Sequence, residues 1–220
     1  MTEIKQSLLE AKEYFRLVFV GGASGVGKTT LLHAVPNIQP LNTGSLFRDR
    51  MALASRDDVR KGDWAEYEEE VANDLLAMVI KSFTTSNLSV VDTHFAARIH
   101  NREYRIGLQR KLIYTLSKNI FSYSEYAGKL VYAIIVLIDC DVHMLLHRRR
   151  TDKNRNRELV PSDCFNDLRE NRVLSRQYFS ELLRAKNRID SPRDHLVQYL
   201  VVENHDLKAA TEMLHTIVSG

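Results

Sequence analysis

Apolar and polar positions follow two rhythms along this chain. Arg16-Leu17-Val18-Phe19-Val20 is a short apolar run closed by Gly21-Gly22, and it reads as a buried strand. The same pattern returns in Leu88-Ser89-Val90-Val91 ending at Asp92, in Leu130 to Ile138 ending at Asp139, and in Leu196 to Val202. Between these runs the period lengthens to that of a helix. Lys28 to Ala34, residues 108–120, Asp141 to Arg150, Ser162 to Lys186 and Leu207 to Val218 are predicted helical. Ile4, Leu8, Leu9 and Ala11 mark a short amphipathic helix over residues 3–14. Asp63-Trp64-Ala65-Glu66 has the form of a capping box. The long helix it opens carries Trp64, Tyr67, Val71, Leu75, Met78 and Val79 on one stripe, with Glu68, Glu69 and Glu70 mostly outside.

Apolar strands alternating with helices predict an α/β fold, a parallel sheet covered on both faces and so three layers deep. Ligands in such sheets bind beyond the carboxyl ends of the strands. Three polar signals fall there: Gly22–Thr30, Asp92–His94 and Asp139–Asp141. The first, Gly22-Ala23-Ser24-Gly25-Val26-Gly27-Lys28-Thr29, fits G-x-x-x-x-G-K-[ST] in full and lies between a strand and a helix. The glycines let backbone N–H groups turn around phosphate oxygens, and the helix N-terminus adds partial positive charge. Lys28 can reach the β- and γ-phosphates, and the Thr29 hydroxyl can ligate Mg²⁺. The segment Gly22 to Thr30 therefore predicts binding of a nucleoside triphosphate with magnesium. Asp92 is expected to face this loop and help hold the ion, with Asp139 as its rival; either acid could instead cap a helix.

Composition changes the picture in one place. Of 220 residues 44% are hydrophobic, and 31 basic side chains face 28 acidic ones for a net charge of +3. That balance argues against a polybasic or acidic-tail protein. Residues 148–157 depart from it, with six basic side chains and one acid, while the remainder holds 25 basic against 27 acidic. A concentrated cationic segment on a mildly acidic body suits a compact polyphosphate better than a long nucleic acid. The two cysteines, Cys140 and Cys164, are too few for a disulfide framework or a four-thiolate zinc site. The longest apolar stretch, Leu130 to Cys140, is about half of what a membrane span needs. An intracellular, cytoplasmic protein of one domain (residues 1–220) is the expectation, with no membrane contact and nucleic acid disfavoured as a partner.

Four spaced motifs together resemble the adenylate kinase family of P-loop nucleoside monophosphate kinases, most closely its archaeal members. Beside the phosphate loop these are Thr43-Gly44-Ser-Leu-Phe-Arg48, similar to T-G-x-x-x-R, and Val90-Val-Asp92-Thr-His94. The fourth is Arg148-Arg149 followed by Asp152-Lys-Asn-Arg155-Asn-Arg157, similar to an arginine lid. The resemblance implies that residues 43–82 bind the acceptor, with Thr43, Gly44 and Arg48 holding AMP, and that 148–160 form the lid. It implies that Lys28, Arg149, Arg155 and Arg157 act on the transferring phosphate. Arg98 and Arg176 are implied as further acceptor-side cations, and Asp92 with Thr29 as the magnesium ligands. The implied nucleotide at the phosphate loop is ATP, the implied reaction is ATP + AMP = 2 ADP, and a homo-oligomer fits the family. Residues 101–129 are longer than the family pattern and carry Gly107-Leu-Gln109 where a Gly-Leu-Pro is usual, so the acceptor could be another small metabolite.

A P-loop ATPase serving as a switch or assembly factor for an RNA or protein partner is the reading from a different class. Tyr104, Tyr114, Tyr123 and Tyr126 interleave with Arg102, Arg105, Arg110, Lys111 and Lys118, a pattern that can bind single strands. An amphipathic helix or a subunit interface explains the same pattern and is preferred. His94 is expected to be structural rather than catalytic, and Cys140 a small buried hydrophobe.

Overall fold

The computed structural model describes residues 14–52, 64–98, 104–152, 160–189 and 195–219. The predicted helix over 3–14, the Asp63 of the capping box, and the lid arginines Arg155 and Arg157 lie outside these. Five strands form one parallel sheet: β1 (Tyr14–Gly21), β2 (Leu41–Asn42), β3 (Leu88–Asp92), and two more that follow a hairpin. That hairpin is β4 (Ala96–Arg98) paired antiparallel with β5 (Tyr104–Ile106). The last two sheet strands are β6 (Leu130–Asp139) and β7 (Leu196–Glu203), and the spatial order is β2-β3-β1-β6-β7. Four of the five sheet strands match the apolar runs. The fifth, β2, has two residues and no run to read, and neither hairpin strand exceeds three.

Strand side chains point alternately to the two faces, and β1 shows what this does. Phe15, Leu17 and Phe19 enter one core, while Val18 and Val20 enter the other. β6 repeats the division, Val131, Ala133, Ile135 and Leu137 against Ile134, Val136 and Ile138. The first core is covered by α3 (Glu68–Thr85), α4 (Arg110–Tyr126) and the later turns of α6 (Pro161–Lys186). The second is covered by α1 (Lys28–Ala34), α5 (Val142–Thr151), α7 (Leu207–Ser219) and the first turns of α6. A short helix, α2 (Thr43–Arg50), follows β2 directly.

The predicted long helix exists but opens differently. Trp64–Tyr67 form a tight 3-10 turn and the α-helix begins at Glu68. Its stripe of Val71, Leu75 and Val79 is buried, yet Met78 is exposed and Glu68 is buried, both against expectation. Residues 101–129 are no loose insertion where described. α4 buries Ile113, Leu116, Ile120 and Phe121 in the first core, and Tyr114 and Tyr123 pack on it, as an amphipathic helix should. No helix among the described residues is long and apolar enough to cross a membrane.

Candidate nucleotide site

Parallel pairing brings the carboxyl ends of β3, β1 and β6 level with one another. Asp92 on β3 lies opposite Val20 on β1 and Asn42 on β2, and Gly21 lies opposite Leu137 on β6. The phosphate loop leaves β1 at this edge. Two of its glycines have physical reasons to be glycine. A Cβ on Gly22 would stand 2.4 Å from the Ile138 carbonyl oxygen. Gly27 precedes α1 with φ 92° and has the Asn204 amide 2.5 Å from where a Cβ would be.

Lys28 reaches across the loop to Asp92, with Nζ 2.7 Å from Oδ1, and both groups are buried. The other carboxylate oxygen accepts from Asn42 Nδ2 at 2.5 Å. Thr43 Oγ1 then contacts the Asp92 carbonyl and Thr93 Oγ1, each at 3.3 Å. Asn42 also caps α2, its Oδ1 accepting from Ser45 N at 2.9 Å. One acid therefore holds the loop lysine and the start of α2 together. Thr29 and Thr30 are exposed at the start of α1.

Asp139, the rival, is occupied otherwise. Arg172 Nε donates to its Oδ2 at 2.6 Å, and Cys140 N donates to its Oδ1 at 3.0 Å. Capping of α5 falls to Asp141, whose Oδ1 accepts from Met144 N at 2.7 Å. Cys140 is buried, as expected, and burial pushes its thiol up to about 11.

The first two lid-segment arginines do not lie in a lid. Both sit in the last turn of α5 and grip the loop from behind. Arg148 Nη1 donates to the Val26 carbonyl at 2.8 Å and Nη2 to the Asn204 carbonyl at 2.7 Å. Arg149 is buried; its Nε and Nη2 donate to the Ser24 carbonyl at 2.9 and 2.7 Å, and Nη2 meets Asp167 Oδ2 at 2.5 Å. Asn204 Nδ2 adds a bond to the Val26 carbonyl at 2.9 Å. Because a trans peptide sets its C=O and N–H on opposite sides, fixing the Ser24 and Val26 carbonyls outward turns the Gly25 and Gly27 N–H groups the other way, into the cradle.

The remaining candidate cations are spread out. Arg48 donates to its neighbour Asp49, with Nη2 at 2.8 Å, and Gly44 lies beside it on α2. Arg98 on β4 pairs with Asp163 at 3.2 Å. Arg176 is exposed on α6. His94 is half-buried, and its carbonyl would lie 1.9 Å from a Cβ on Gly107. Sequence reasoning missed Asn42, Asn204 and Asp167, and read Tyr104 only as part of an aromatic-basic pattern, not as a partner of Asp167. Asn204 had a readable signal, since it lies just past the end of a sheet strand, close to the strand-end level of Asp92 and Asp139.

A sequence comparison with curated proteins gave no match. Solved structures similar in shape include a shikimate kinase from Acinetobacter baumannii in complex with shikimate, at 15% identity, TM-score 0.47 and 97% of each chain covered. A sugar kinase from Janibacter sp. HTCC2649 follows at 15% identity and TM-score 0.45, covering 93% of this chain and 94% of that one. A gluconokinase from Sinorhizobium meliloti 1021 shows 14% identity and TM-score 0.42, with 94% and 96% covered. At such values none of them bears on the acceptor. The AAA_17 family, described as an AAA domain, matches residues 21–163, a span that opens on the phosphate loop and takes in Asp92 and the α5 arginines, and the chain belongs to that family.

Proposed function

We propose that this protein is an ATP-dependent phosphotransferase, a nucleoside monophosphate kinase whose first candidate acceptor is AMP. The observation that carries the reading is the Lys28–Asp92 pair, 2.7 Å apart, with the acceptor-side segment Asn42–Thr43 bonded to the same aspartate. On this reading the donor loop, the metal-side acid and the acceptor-side helix would meet at Asp92. Such a site needs no covalent nucleophile, because positioning and electrostatics carry phosphoryl transfer.

Each residue has a derivable task. The cradle N–H groups would bind phosphate oxygens of ATP. Lys28 would exchange Asp92 for the β- and γ-phosphates. Arg155 and Arg157 would close over the transferring group, and Thr43, Gly44, Arg48, Arg98 and Arg176 would serve the acceptor. Asp92 and the Thr29 hydroxyl are hard oxygen donors at the loop's edge, a set that fits Mg²⁺. When bound, that ion would offset charge developing between the phosphates.

A kinase acting on another small metabolite is the second reading. Arg48 and Arg98, two of the acceptor-side cations, are engaged by Asp49 and Asp163, an arrangement that does not single out a nucleotide phosphate. A coupled assay measuring ADP release separates the two. It would offer AMP, CMP, UMP and GMP, then a panel of hydroxyl-bearing sugars and acids. The first reading expects the largest acceptor-dependent rate with AMP. A rate seen only with a sugar or acid selects the second, and ADP release indifferent to every acceptor overturns both.

A further inference from the structure

Asp167 lies in the first turns of α6, and its two carboxylate oxygens serve different parts of the molecule. Oδ2 accepts from Arg149 Nη2 at 2.5 Å, and Oδ1 accepts from the hydroxyl of Tyr104 on β5. The same helix face holds the β4–β5 hairpin at two further points. Ala96 N donates to Asn171 Oδ1 at 3.2 Å, and Asn171 Nδ2 donates to the Asp167 carbonyl at 2.8 Å. One turn earlier Asp163 meets Arg98 at 3.2 Å. Arg149 carries the connection onward through its two bonds to the Ser24 carbonyl.

Arg149 is 5% exposed. A buried cation facing only carbonyls and the Cys164 sulfur, 3.6 Å away, would lack a counter-charge. Asp167 supplies the charge and anchors Nη2, the donor it shares with the Ser24 carbonyl, which limits how the guanidinium plane can turn. That plane decides whether both donors reach Ser24. The Ser24–Gly25 peptide in turn decides where the Gly25 N–H points, and Gly25, at φ 93°, offers little resistance to a flip.

We infer that Asp167 is a positioning residue for the phosphate loop, and that through it the β4–β5 hairpin sets how well the loop binds ATP. The inference rests on the reading of the loop as an ATP site. Tyr104, Asp167 and Arg149 form one line from the hairpin to the phosphate loop. A shift of the hairpin would be felt at Ser24 without any contact between the hairpin and ATP.

Isothermal titration of Mg-ATP into wild type, Tyr104→Phe, Asp167→Asn, Arg149→Lys and the Tyr104→Phe/Arg149→Lys double variant tests this. Asp167→Asn should weaken ATP binding roughly tenfold or more and Tyr104→Phe roughly fivefold, the usual range of coupling between sites. In the Arg149→Lys background Tyr104→Phe should have no further effect, because its route to the loop has been removed. Hydrogen exchange of the peptide covering residues 21–30 should quicken in both single variants at temperatures where each is fully folded. A purely structural role would lower melting temperature and leave affinity and local exchange unchanged, which would overturn the inference. So would an equal effect of Tyr104→Phe with and without Arg149. If Asp167→Asn does not fold, Tyr104→Phe, which removes one hydroxyl, carries the test. Wild type that binds no ATP brings down the reading of the loop and this inference together. Wild type that binds, with variants that bind equally well, brings down this inference alone.

Discussion

Asp92 and Asp139 begin as near twins. Each closes an apolar run, each ends a strand pairing with or lying beside β1, and each is buried against a cation. Their partners differ. Asp92 faces Lys28 of the phosphate loop and Asn42 at the start of α2, whereas Asp139 faces Arg172, a half-exposed side chain on α6, and its neighbour's N–H. On the proposed function Lys28 would leave its partner to meet phosphate, which would make the first pair a working contact. The second pair joins helix to sheet. Strand-end position identifies acids that can serve a site, and the cation opposite is what separates these two.

The sharpest way to break this comparison is to neutralise each acid in turn. Lys28→Ala should lower transfer by roughly 10²–10³-fold while the far-ultraviolet circular dichroism stays native, the range that one preorganised charge contact is commonly worth in rate. Asp92→Asn should fall in the same direction by about 10²-fold. Asp139→Asn should keep turnover within about threefold. Equal losses for the two aspartates in a steady-state assay would erase the distinction drawn here.

The second test concerns stability and reverses the order of interest. Asp139→Ala leaves Arg172 without its carboxylate and Cys140 N without its acceptor. Removing one partner of a buried polar contact costs about 1–3 kcal/mol, and the half-exposure of Arg172 places this case toward the lower end. Urea unfolding should therefore show a lower midpoint with activity retained below it. An unchanged midpoint would mean that the Arg172–Asp139 contact contributes nothing to the fold.

The same two aspartates show how far the chain could be read in advance. The strands carrying them are long enough to show an apolar run, and a run of that length between helices leaves few sheet arrangements. β2 and the β4–β5 hairpin are too short for any periodicity, and they exist because Asp92 and the α6 face give them partners. The phosphate loop was legible because its chemistry dictates both residue types and spacing. The direction of Arg148 and Arg149 was not. A run of arginines declares charge, and only tertiary packing decides whether a guanidinium meets phosphate or a backbone carbonyl behind the loop. Glu68 teaches the same lesson for a carboxylate, since helical spacing placed it outside and packing buried it.

Cys140 offers a smaller and more local probe, because its N–H is held by Asp139 and its side chain is buried. With its thiol at about 11, only about one molecule in a thousand would be thiolate at pH 8. Cys164 is buried as well. A disulfide reagent at pH 8 should therefore titrate neither thiol in the native protein and both after denaturation. Rapid native reaction of Cys140 would show that the end of β6 opens far more readily than its packing implies.

The smallest effect belongs to a third acid, Asp74, which sharpens the comparison by removing burial from it. Arg50 donates to both Asp74 oxygens, at 2.7 and 2.6 Å, on the open surface between α2 and α3. The geometry matches or exceeds that of Asp139, so any difference in outcome is due to solvent. The hydrogen bond from Arg50 holds the Asp74 carboxyl below its ordinary value of 3.8. A folded value below the unfolded one means the contribution is present above the ordinary carboxylate range and is lost as pH falls through the folded value. Arg50→Ala should therefore melt within about two degrees of wild type at pH 7, as exposed pairs do. The gap should close further as the pH is taken below 3.8. A gap that widens in acid, measured by thermal unfolding from pH 7 to pH 3, would show that Arg50 stabilises the helix pair by something other than Asp74.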